Sequence, residues 1–472
     1  MDPLEELITW ATAKGVKLHG IKPARMPGRG VGIVATRQIT QGDVLLEVPT
    51  SCLRTTDTVS PALLARKLPR RISVHGLLAA DLALDLGLDL QCAASSPNSG
   101  SASDSEANSI ARSRSAHAPW NAVCPAPADF ATMPLVWPAA LQALLPGPAR
   151  ELLAKQQAKL ARDWADAAAA FAVSAEDDRD DADVGAGAGF NDGTPSPSPS
   201  LLLSPEDRYR HAWLLVNTRT FYYYNDKGSS SGTGRGAKRR KVVRPTDPDS
   251  CMCLQPVADL FNHDDGEGCA VAFDDAGYTV QASRAFAPGE EVRISYGRHP
   301  GDFLLVEYGF AVDDGDGNGN GNRWDEVALD DVVLPRLGAR QKKVLEEAGF
   351  LGQYVLDGNV SDADADADGA VTVACYRTQV AVRLLCCGAG AEWRRFVDGK
   401  DDGAASQGKV DALLGEMLRE YQAKAERTIE EVERLGDVGE PEQRAVLVKR
   451  WRQIRRLLGA NIARLEKNNA QA

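Results

Sequence analysis

Residues 255–268 read QPVADLFNHDDGEG, and within them the chain changes abruptly from apolar to polar and acidic residues. An apolar run ends at Leu260 and Phe261, and a carboxamide and an imidazole follow at once as Asn262 and His263. The next residues are acidic and contain glycine, so they do not belong to a core. Taken alone, Asn262 could simply end a segment, and a single histidine is more often structural than functional. The sequence on either side therefore decides what this pair does.

The composition is that of a soluble globular protein. The chain has 472 residues, 43% hydrophobic and 25% charged, which suggests roughly two to three domains. Its net charge of -12 argues against a general nucleic-acid binder, because such proteins displace counterions with a basic face. Partners with basic segments fit this charge better. We see no apolar run long enough for a bilayer and no basic start of a secretory signal, so we expect no membrane partner.

Nine cysteines, an odd number without the spacing of a disulfide framework, favour free thiols in a reducing compartment. Cys251 and Cys253 form a lone C-x-C pair, and Cys386 and Cys387 are adjacent in an apolar helix. Neither pair has two further ligands at zinc spacing. Buried thiols are therefore favoured over a metal site, and we predict no metal.

Short strands, helices and low-complexity segments alternate in the first half of the chain. Residues 29–49 alternate β-branched and polar side chains around Gly42 and Asp43, which suggests a hairpin. Residues 75–90 and 141–171 have helical periodicity, the second with a Pro-Gly-Pro break. Segments with too few apolar residues to fold lie at about 92–116, 176–203 and 225–250.

The second half changes from a helix to strands and then to further helices. Ser204 is a predicted N-cap, with Pro205 in the first helical position. Residues 251–312 predict short strands, and a glycine- and asparagine-rich tract at 313–325 predicts a linker. Two long helices follow, each with one apolar face. These faces contain Leu414, Leu418, Tyr421, Ala425, Ile429 and Val432 in the first, and Leu447, Trp451, Ile454, Leu458, Ile462 and Leu465 in the second.

Four short segments are the candidates for chemistry. GRGVG at 28–32 lets backbone approach a ligand closely, NTRTF at 217–221 places Arg219 near the end of an apolar helix, and DLFNH was described above. Tyr296 and Tyr308 end two apolar runs. Each segment alone has an ordinary structural explanation, as a tight turn, a surface arginine, a segment end or a core tyrosine. Their order along the chain is what indicates a function.

That order resembles the SET-domain protein methyltransferases, in particular the class like Rubisco large-subunit methyltransferase. GRGVGIVATRQITQGDVLLEVP is similar to the first SET segment of this class, and YRHAWLLVNTRTF resembles its helical insert. PVADLFNHDDGEGCAVAF and PGEEVRISYGRHPGDFLLVEYGF are similar to its closing half. The resemblance implies an α+β fold, with a split, β-rich SET domain that contains a pseudoknot and a helical insert, followed by an all-α C-terminal domain.

The resemblance also implies domain boundaries. Residues 1–60 would form the N-terminal half of the SET domain, and residues 61–250 the helical insert with its three low-complexity loops. Residues 251–312 would form the C-terminal half with the cofactor and catalytic motifs. Residues 313–325 would be a linker, and residues 326–472 a helical substrate-binding-like domain.

S-adenosylmethionine is the cofactor that the resemblance implies. Asn262 and His263 would contact adenine and backbone, so His263 would be a pocket residue and not a general base. Arg219 would meet the cofactor carboxylate, for which two parallel guanidinium hydrogen bonds are well suited. The implied cofactor-binding residues are Arg29, Gly30, Val31, Arg219, Asn262, His263 and Tyr296.

The implied reaction is in-line transfer of a sulfonium methyl group to a neutral lysine amine. A dry channel and the sulfonium charge both lower the pKa of that lysine. Tyr296 would orient the methyl group and the amine, and this alignment is the main catalytic demand. The implied catalytic residues are Tyr296 and Tyr308, and the implied substrate-binding residues are Phe221, Tyr308 and Phe310.

Phe221 favours lysine as the acceptor, because a histidine-directed branch of the class carries asparagine at this position. The partner would be a non-histone protein that presents a lysine, for example a ribosomal protein or a translation factor. Two alternatives stay open: a protein-histidine methyltransferase, and a catalytically silent SET-like protein-binding module. We expect a monomer that binds no specific nucleic acid.

Three weaker motifs have ordinary explanations. Residues 314–325 and 364–375 echo calcium-binding loops, but neither ends in the bidentate glutamate that such loops require. AKRRK at 237–241 matches a nuclear import signal and equally an ordinary charge run. We therefore expect a cytoplasmic protein, with the nucleus open as a second location.

Overall fold

A computed structural model describes residues 2–66, 68–94, 115–172, 203–224, 251–266, 268–312, 321–357 and 373–471. The basic run at 237–241, most of the three low-complexity loops and most of both calcium-like segments lie outside these ranges. The chain divides into two compact units. The first unit is Met1–Asp129 with Gln156–Ser295, and the second is Phe130–Lys155 with Tyr296–Ala472. Within the described ranges, no helix is both long and apolar enough to span a bilayer.

Helices and strands alternate through the first unit, and helices dominate the second. The strands are β1 (Lys17–Leu18), β2 (Ile21–Met26), β3 (Gly30–Ala35), β4 (Val44–Pro49), β5 (Phe221–Tyr222), β6 (Met252–Cys253), β7 (Ala270–Phe273), β8 (Gly277–Gln281), β9 (Glu291–Val292), β10 (Glu326–Ala328) and β11 (Val355–Asp357). The α-helices are α1 (Pro3–Ala13), α2 (Pro61–Leu64), α3 (Val74–Ala94), α4 (Ala118–Asn121), α5 (Ala139–Ala143), α6 (Gly147–Ala172), α7 (Pro205–Arg219), α8 (Gly301–Tyr308), α9 (Asp330–Val333), α10 (Ala339–Glu347), α11 (Tyr376–Cys387), α12 (Ala391–Val397), α13 (Ala404–Arg434) and α14 (Pro441–Gln471).

The sheets of the first unit include pairs of strands that are far apart in sequence, such as β4 with β8 and β3 with β9. Their orders are β1-β4-β8-β7, β2-β3-β9 and β5-β6. The hairpin expected at residues 29–49 is therefore wrong, because β3 and β4 belong to different sheets. Each strand has two other partners: β3 pairs with β2 and β9, and β4 pairs with β1 and β8. The Gly42–Asp43 turn instead bonds to Ala282, whose amide donates to Asp43 O at 2.9 Å.

Helix α7 begins where the sequence predicts. The Ser204 side chain accepts a hydrogen bond from Asp207 N at 3.1 Å, and Pro205 occupies the first helical position. Such a cap satisfies an amide that has no partner within the helix. The middle of α7 is buried, and its Trp213 stacks on His75 of α3 with ring centroids 4.2 Å apart. This packing fixes the helix that ends at Arg219.

The two longest helices of the second unit, α13 and α14, pack with the apolar faces that their periodicity predicts. Every residue of those two predicted faces is buried. The unit also contains an antiparallel pair, β10 with β11, in a region expected to be all helical. Strands of three residues are too short to show a period, although Val327 and Leu356 are buried in them.

An ion cluster lies inside this helical core. The fully buried Arg450 of α14 donates from Nε to Asp302 Oδ1 at 2.7 Å and from one terminal nitrogen to Asp325 Oδ2 at 2.6 Å. Asp325 Oδ1 also accepts from Gly301 N at 2.8 Å. The two carboxylates outweigh the burial of the guanidinium and raise the pKa of Arg450. The cluster therefore fixes the start of α8, which carries Tyr308, to α14.

Candidate functional site

The predicted glycine turn joins β2 to β3 and depends on backbone conformation. Gly28 and Gly30 have φ values of +70° and +71°, which side chains with a Cβ rarely adopt. A Cβ at either position would meet nothing within 4 Å, so the backbone of Arg29 and Gly30 borders open space. Val31, the next residue of β3, is partly buried. The turn thus has the exposed backbone that a ligand-binding loop needs.

Gly32 is required for a different reason, because neighbouring side chains lie too close to its backbone to leave room for a Cβ. A Cβ at Gly32 would lie 2.8 Å from Asn262 Nδ2 and 3.0 Å from Glu291 Oε1. Such separations are below the ordinary contact distance for carbon. Only glycine at this position therefore lets the Asn262 side chain pack against β3.

Glu291 connects two of the predicted residues. Its Oε1 accepts from Asn262 Nδ2 at 2.7 Å, and its Oε2 lies 3.1 Å from the Arg29 guanidinium. Arg293 also donates to Oε2, from Nε at 2.8 Å. Burial alone would raise the pKa of Glu291, whose side chain is 8% exposed, but these hydrogen bonds and positive charges hold its pKa below the usual range. The carboxylate is therefore ionised at neutral pH and orients Asn262.

Sequence reasoning missed Glu291, although a signal was present. Glu291 and Arg293 are two residues apart in a segment predicted as a strand, so they share a face. When charged residues share one face of a strand that ends beside a candidate site, they indicate that polar side chains of this face line the site. The sequence did not show that this face meets Asn262, because the two are separated by a stretch containing β7 and β8.

The Asn262–His263 backbone is held by the chain that follows β9. Ile294 N donates to Asn262 O at 3.1 Å, and Asp264 N donates to Ile294 O at 2.8 Å. His263 and Ile294 form a parallel bridge, and the His263 side chain is partly buried. The position of His263 is thus fixed by backbone pairing.

Val257 adopts an unusual backbone conformation just before this segment. It is fully buried with φ of 69°, and a 3-10 turn over Ala258–Leu260 follows. A β-branched residue in this region costs about 1–3 kcal/mol, so the surrounding packing must hold it there. No feature of the local sequence predicts this conformation.

Arg219, at the end of α7, meets a protein carboxylate. One terminal nitrogen donates to the Asp259 carbonyl oxygen at 2.5 Å and lies 3.6 Å from Asp259 Oδ2. Trp120 Nε1 also donates to Oδ2, at 3.0 Å. Burial raises the pKa of Asp259 despite the opposing effects of Arg219 and Trp120. Sequence reasoning identified Arg219 but missed Asp259 and Trp120, since nothing local links a tryptophan of α4 to this segment.

The Arg219 pairing is incomplete. Its Nε is buried and has no hydrogen-bond partner among the described residues, and the same is true of Asp259 Oδ1. A buried donor without a partner costs about 1–3 kcal/mol unless a ligand or water satisfies it. Arg219 therefore retains a donor for an anionic group.

The predicted tyrosines lie in one aromatic cluster of the second unit. The ring centroids of Tyr296 and Tyr308 are 4.9 Å apart, and Phe310 lies 6.2 Å from Tyr308. His299 stacks on Phe303 at 4.1 Å, and its Nε2 lies 3.2 Å from the Tyr296 carbonyl oxygen, to which it can donate. Burial raises the pKa of Tyr308 to about 12. Its hydroxyl therefore stays protonated at neutral pH and can donate a hydrogen bond.

Phe221, the remaining predicted residue, belongs to an aromatic group of the first unit. It pairs with Cys253 across β5 and β6, and its ring lies 6.0 Å from that of Tyr278. The Tyr278 hydroxyl donates to the Tyr222 carbonyl oxygen. Phe221 is partly buried.

The cysteine pairs are free thiols that differ in burial. Cys251 and Cys253 are buried as expected, whereas Cys386 and Cys387 are only partly buried, which corrects the expectation for that pair. Across the described ranges, no group of three or more His, Cys, Asp or Glu side chains is placed to hold a metal.

Comparison with known proteins gives one family model and several relatives. A model described as "SET domain" matches residues 30–297. The chain is 23% identical over 240 residues to ribosomal lysine N-methyltransferase set11 of Schizosaccharomyces pombe, covering 48% of this chain and 52% of that protein. It is 25% identical over 429 residues to SET domain-containing protein 4 of Mus musculus, covering 89% and 77%. The match thus spans about half the length of the fission-yeast protein.

The fold is similar to that of solved SET-domain structures. The SET domain of LSMT bound to methyllysine and AdoHcy superposes with a TM-score of 0.51 at 15% identity, covering 100% of this chain and 93% of that one. Rubisco LSMT bound to sinefungin and monomethyllysine gives a TM-score of 0.50 with the same identity and coverage. The predicted α+β fold class is confirmed.

Proposed function

Because the chain belongs to the SET-domain family, we propose that it is an S-adenosylmethionine-dependent protein-lysine N-methyltransferase. The observation that carries this proposal is the cluster in which Gly32, Asn262 and Glu291 meet beside a turn bordered by open space. Asn262 is held there by a carboxylate whose lowered pKa keeps it ionised. A scaffold without a ligand has no need for a carboxamide oriented in this way.

The residues present fit the cofactor. S-adenosylmethionine, when bound, supplies an electrophilic methyl group that an amine can accept. The unpaired, buried Nε of Arg219 suits the cofactor carboxylate, because a guanidinium can donate two parallel hydrogen bonds. Arg29, Gly30 and Val31 would contribute backbone contacts, and Asn262 and His263 would meet the adenine end.

The proposed catalytic role falls to the aromatic cluster. Tyr308 keeps its proton at neutral pH, so its neutral hydroxyl oxygen can accept a hydrogen bond from a lysine amine N–H and leave the amine lone pair free to attack the methyl group. Tyr296 would orient the methyl group and the amine, and Phe221 and Phe310 would exclude water. Exclusion of water lowers the pKa of the lysine and so favours its neutral form.

The substrate is proposed to be a basic, non-histone protein. Two relatives are named ribosomal lysine N-methyltransferases, one from Schizosaccharomyces pombe and one from Saccharomyces cerevisiae. The net charge of -12 favours association with basic proteins, of which ribosomal proteins are an abundant class. We further propose that the protein is a monomer located in the cytoplasm, with the nucleus as a second location.

Lysine is the expected acceptor. Purified protein and methyl-labelled S-adenosylmethionine, incubated with an extract of cells that lack this gene, should label a discrete protein band. Hydrolysis of that band should release labelled methyllysine and no methylhistidine, because Phe221 offers no polar group to orient an imidazole. Methylhistidine without methyllysine would show that the prediction of lysine as the acceptor is wrong. Absence of labelling together with absence of cofactor binding would identify a silent binding module.

Gly32→Ala is expected to weaken S-adenosylmethionine binding by about tenfold or more, equivalent to at least about 1.4 kcal/mol. The added Cβ would lie 2.8 Å from Asn262 Nδ2 and would displace that side chain from Glu291. Isothermal titration calorimetry would measure the change. Gly408→Ala, in α13 with no atom within 4 Å of the new Cβ, is the matched control and should bind like the wild type. If both variants bind S-adenosylmethionine equally well, Asn262 does not contribute to the cofactor site.

A further inference from the structure

Strand β7 is an unusual edge of the β1-β4-β8-β7 sheet. All four of its residues, Ala270–Phe273, are apolar and all are exposed. Val271 and Phe273 are each 38% exposed. Edge strands are ordinarily protected by lysine, proline or a bulge, because a free edge pairs with other chains. None of these devices lies within β7.

The backbone of β7 has one free side. Asp274 N donates to Gly277 O at 3.0 Å, and the register continues from Phe273↔Tyr278 to Ala270↔Gln281. Hydrogen-bonded and non-bonded pairs alternate in an antiparallel ladder, so Val271 and Phe273 direct their amides and carbonyls away from β8. On that side, among the described residues, Cys269 just before β7 bridges Ile294 and donates to Arg293 O at 2.7 Å, whereas no strand pairs with Val271 or Phe273. These groups can therefore bond to an incoming extended chain.

Negative charge lies at both ends of this edge. Asp274 and Asp275 follow Phe273 directly in the turn to β8. At the other end, Asp264 lies against Gly268, with its Cβ 3.2 Å from the position of a Gly268 Cβ. The neighbouring arginines, Arg284 and Arg293, are already paired with glutamates. The edge therefore favours a basic segment.

The same charges disfavour a second copy of this chain. Two β7 edges paired antiparallel would place the Asp274–Asp275 end of one beside the Asp264 end of the other. Like charges directly opposite each other destabilise such pairing. The overall charge of -12 adds repulsion between copies.

An aromatic series links this edge to the proposed substrate wall. Phe273 lies 4.8 Å from Tyr278 and 5.3 Å from Tyr223, and Tyr278 lies 6.0 Å from Phe221. The three contacts are all within the first unit. Two ring contacts through Tyr278 therefore connect the β7 edge to Phe221.

We propose that β7 docks an extended, lysine- or arginine-rich segment of the protein substrate, which adds to the sheet as a further strand. The identification of the partner as the substrate rests on the proposed function, whereas the docking edge does not. Backbone pairing would supply affinity with little sequence preference, and the flanking aspartates would select for basic segments.

A capped peptide of alternating lysine and valine, labelled with fluorescein, tests the edge by anisotropy without cofactor. The wild type should bind it, and Val271→Pro should reduce the affinity at least about tenfold, since proline has no amide to donate. The Val271 amide lies outside the β7–β8 ladder, so this variant should keep its fold and its cofactor binding. Val271→Thr retains the amide and is the matched control. A glutamate–valine peptide should not bind.

Each contrary result has a definite meaning. Equal binding by Val271→Pro, or binding of the glutamate–valine peptide, would overturn the docking edge. A dimer that Val271→Pro abolishes, without peptide binding, would assign the edge to a second copy. Peptide binding that requires deletion of residues 229–246 would assign it to a segment of this chain. If Val271-dependent binding occurs without methyl transfer or cofactor binding, the edge stands and the proposed enzyme function fails.

Discussion

Replacing Tyr296 with phenylalanine is expected to lower methyl transfer by about 100- to 1,000-fold, the usual effect of removing one positioned hydrogen-bond donor. The substitution removes a hydroxyl and keeps the ring that packs 4.9 Å from Tyr308. The loss should appear in kcat, because the hydroxyl is proposed to orient the reacting groups. Single-turnover transfer of labelled methyl groups would measure it.

One control and one further variant separate chemistry from packing. Tyr376→Phe removes a hydroxyl that donates to the Phe396 carbonyl at 2.6 Å, outside the aromatic cluster, and should leave transfer unchanged. Tyr308→Phe should also reduce transfer, because its protonated hydroxyl is proposed to hold the amine. Wild-type rates for Tyr296→Phe would show that the hydroxyl has no role in the reaction.

Replacing Arg450 with methionine is expected to lower the free energy of unfolding by about 3–5 kcal/mol. The change leaves Asp302 and Asp325 buried without their shared cation. Since Arg450 is fully buried and bonds to both carboxylates, water cannot replace it without opening the core. Urea unfolding followed by circular dichroism would measure the loss.

A compensating variant tests whether unpaired charge is the cause. Arg450→Met combined with Asp302→Asn and Asp325→Asn should recover a large part of the stability, because the amides carry no net charge. After Asp325→Asn, the side-chain carbonyl oxygen at this position can still accept from Gly301 N, as the carboxylate does at 2.8 Å. If the triple substitution is as unstable as Arg450→Met alone, the loss comes from packing and not from charge.

The sequence was sufficient where one segment determines its own structure. The Ser204 cap and the two apolar faces of α13 and α14 depend on residues close together in the chain. The local sequence does not show which strands pair when they are far apart in the chain. The turn at Gly42 predicted a hairpin, yet β3 and β4 found partners in different sheets.

The candidate site shows the same division. Asn262 and Arg219 could be identified from motifs, whereas their partners Glu291 and Asp259 could not be recognised as partners. A carboxylate on a strand is ordinary until the fold brings a carboxamide within 2.7 Å of it. The motif therefore located the site, and the tertiary structure supplied the residues that orient it.

The positive-φ conformation of Val257 limits how the Asn262–His263 motif can be reused. Grafted onto another scaffold, residues 256–263 would relax at Val257 and gain about 1–3 kcal/mol by doing so. The relaxed chain would point the carboxamide and the imidazole elsewhere. A designer who wants this site must therefore transplant the buried shell around Val257 together with the motif.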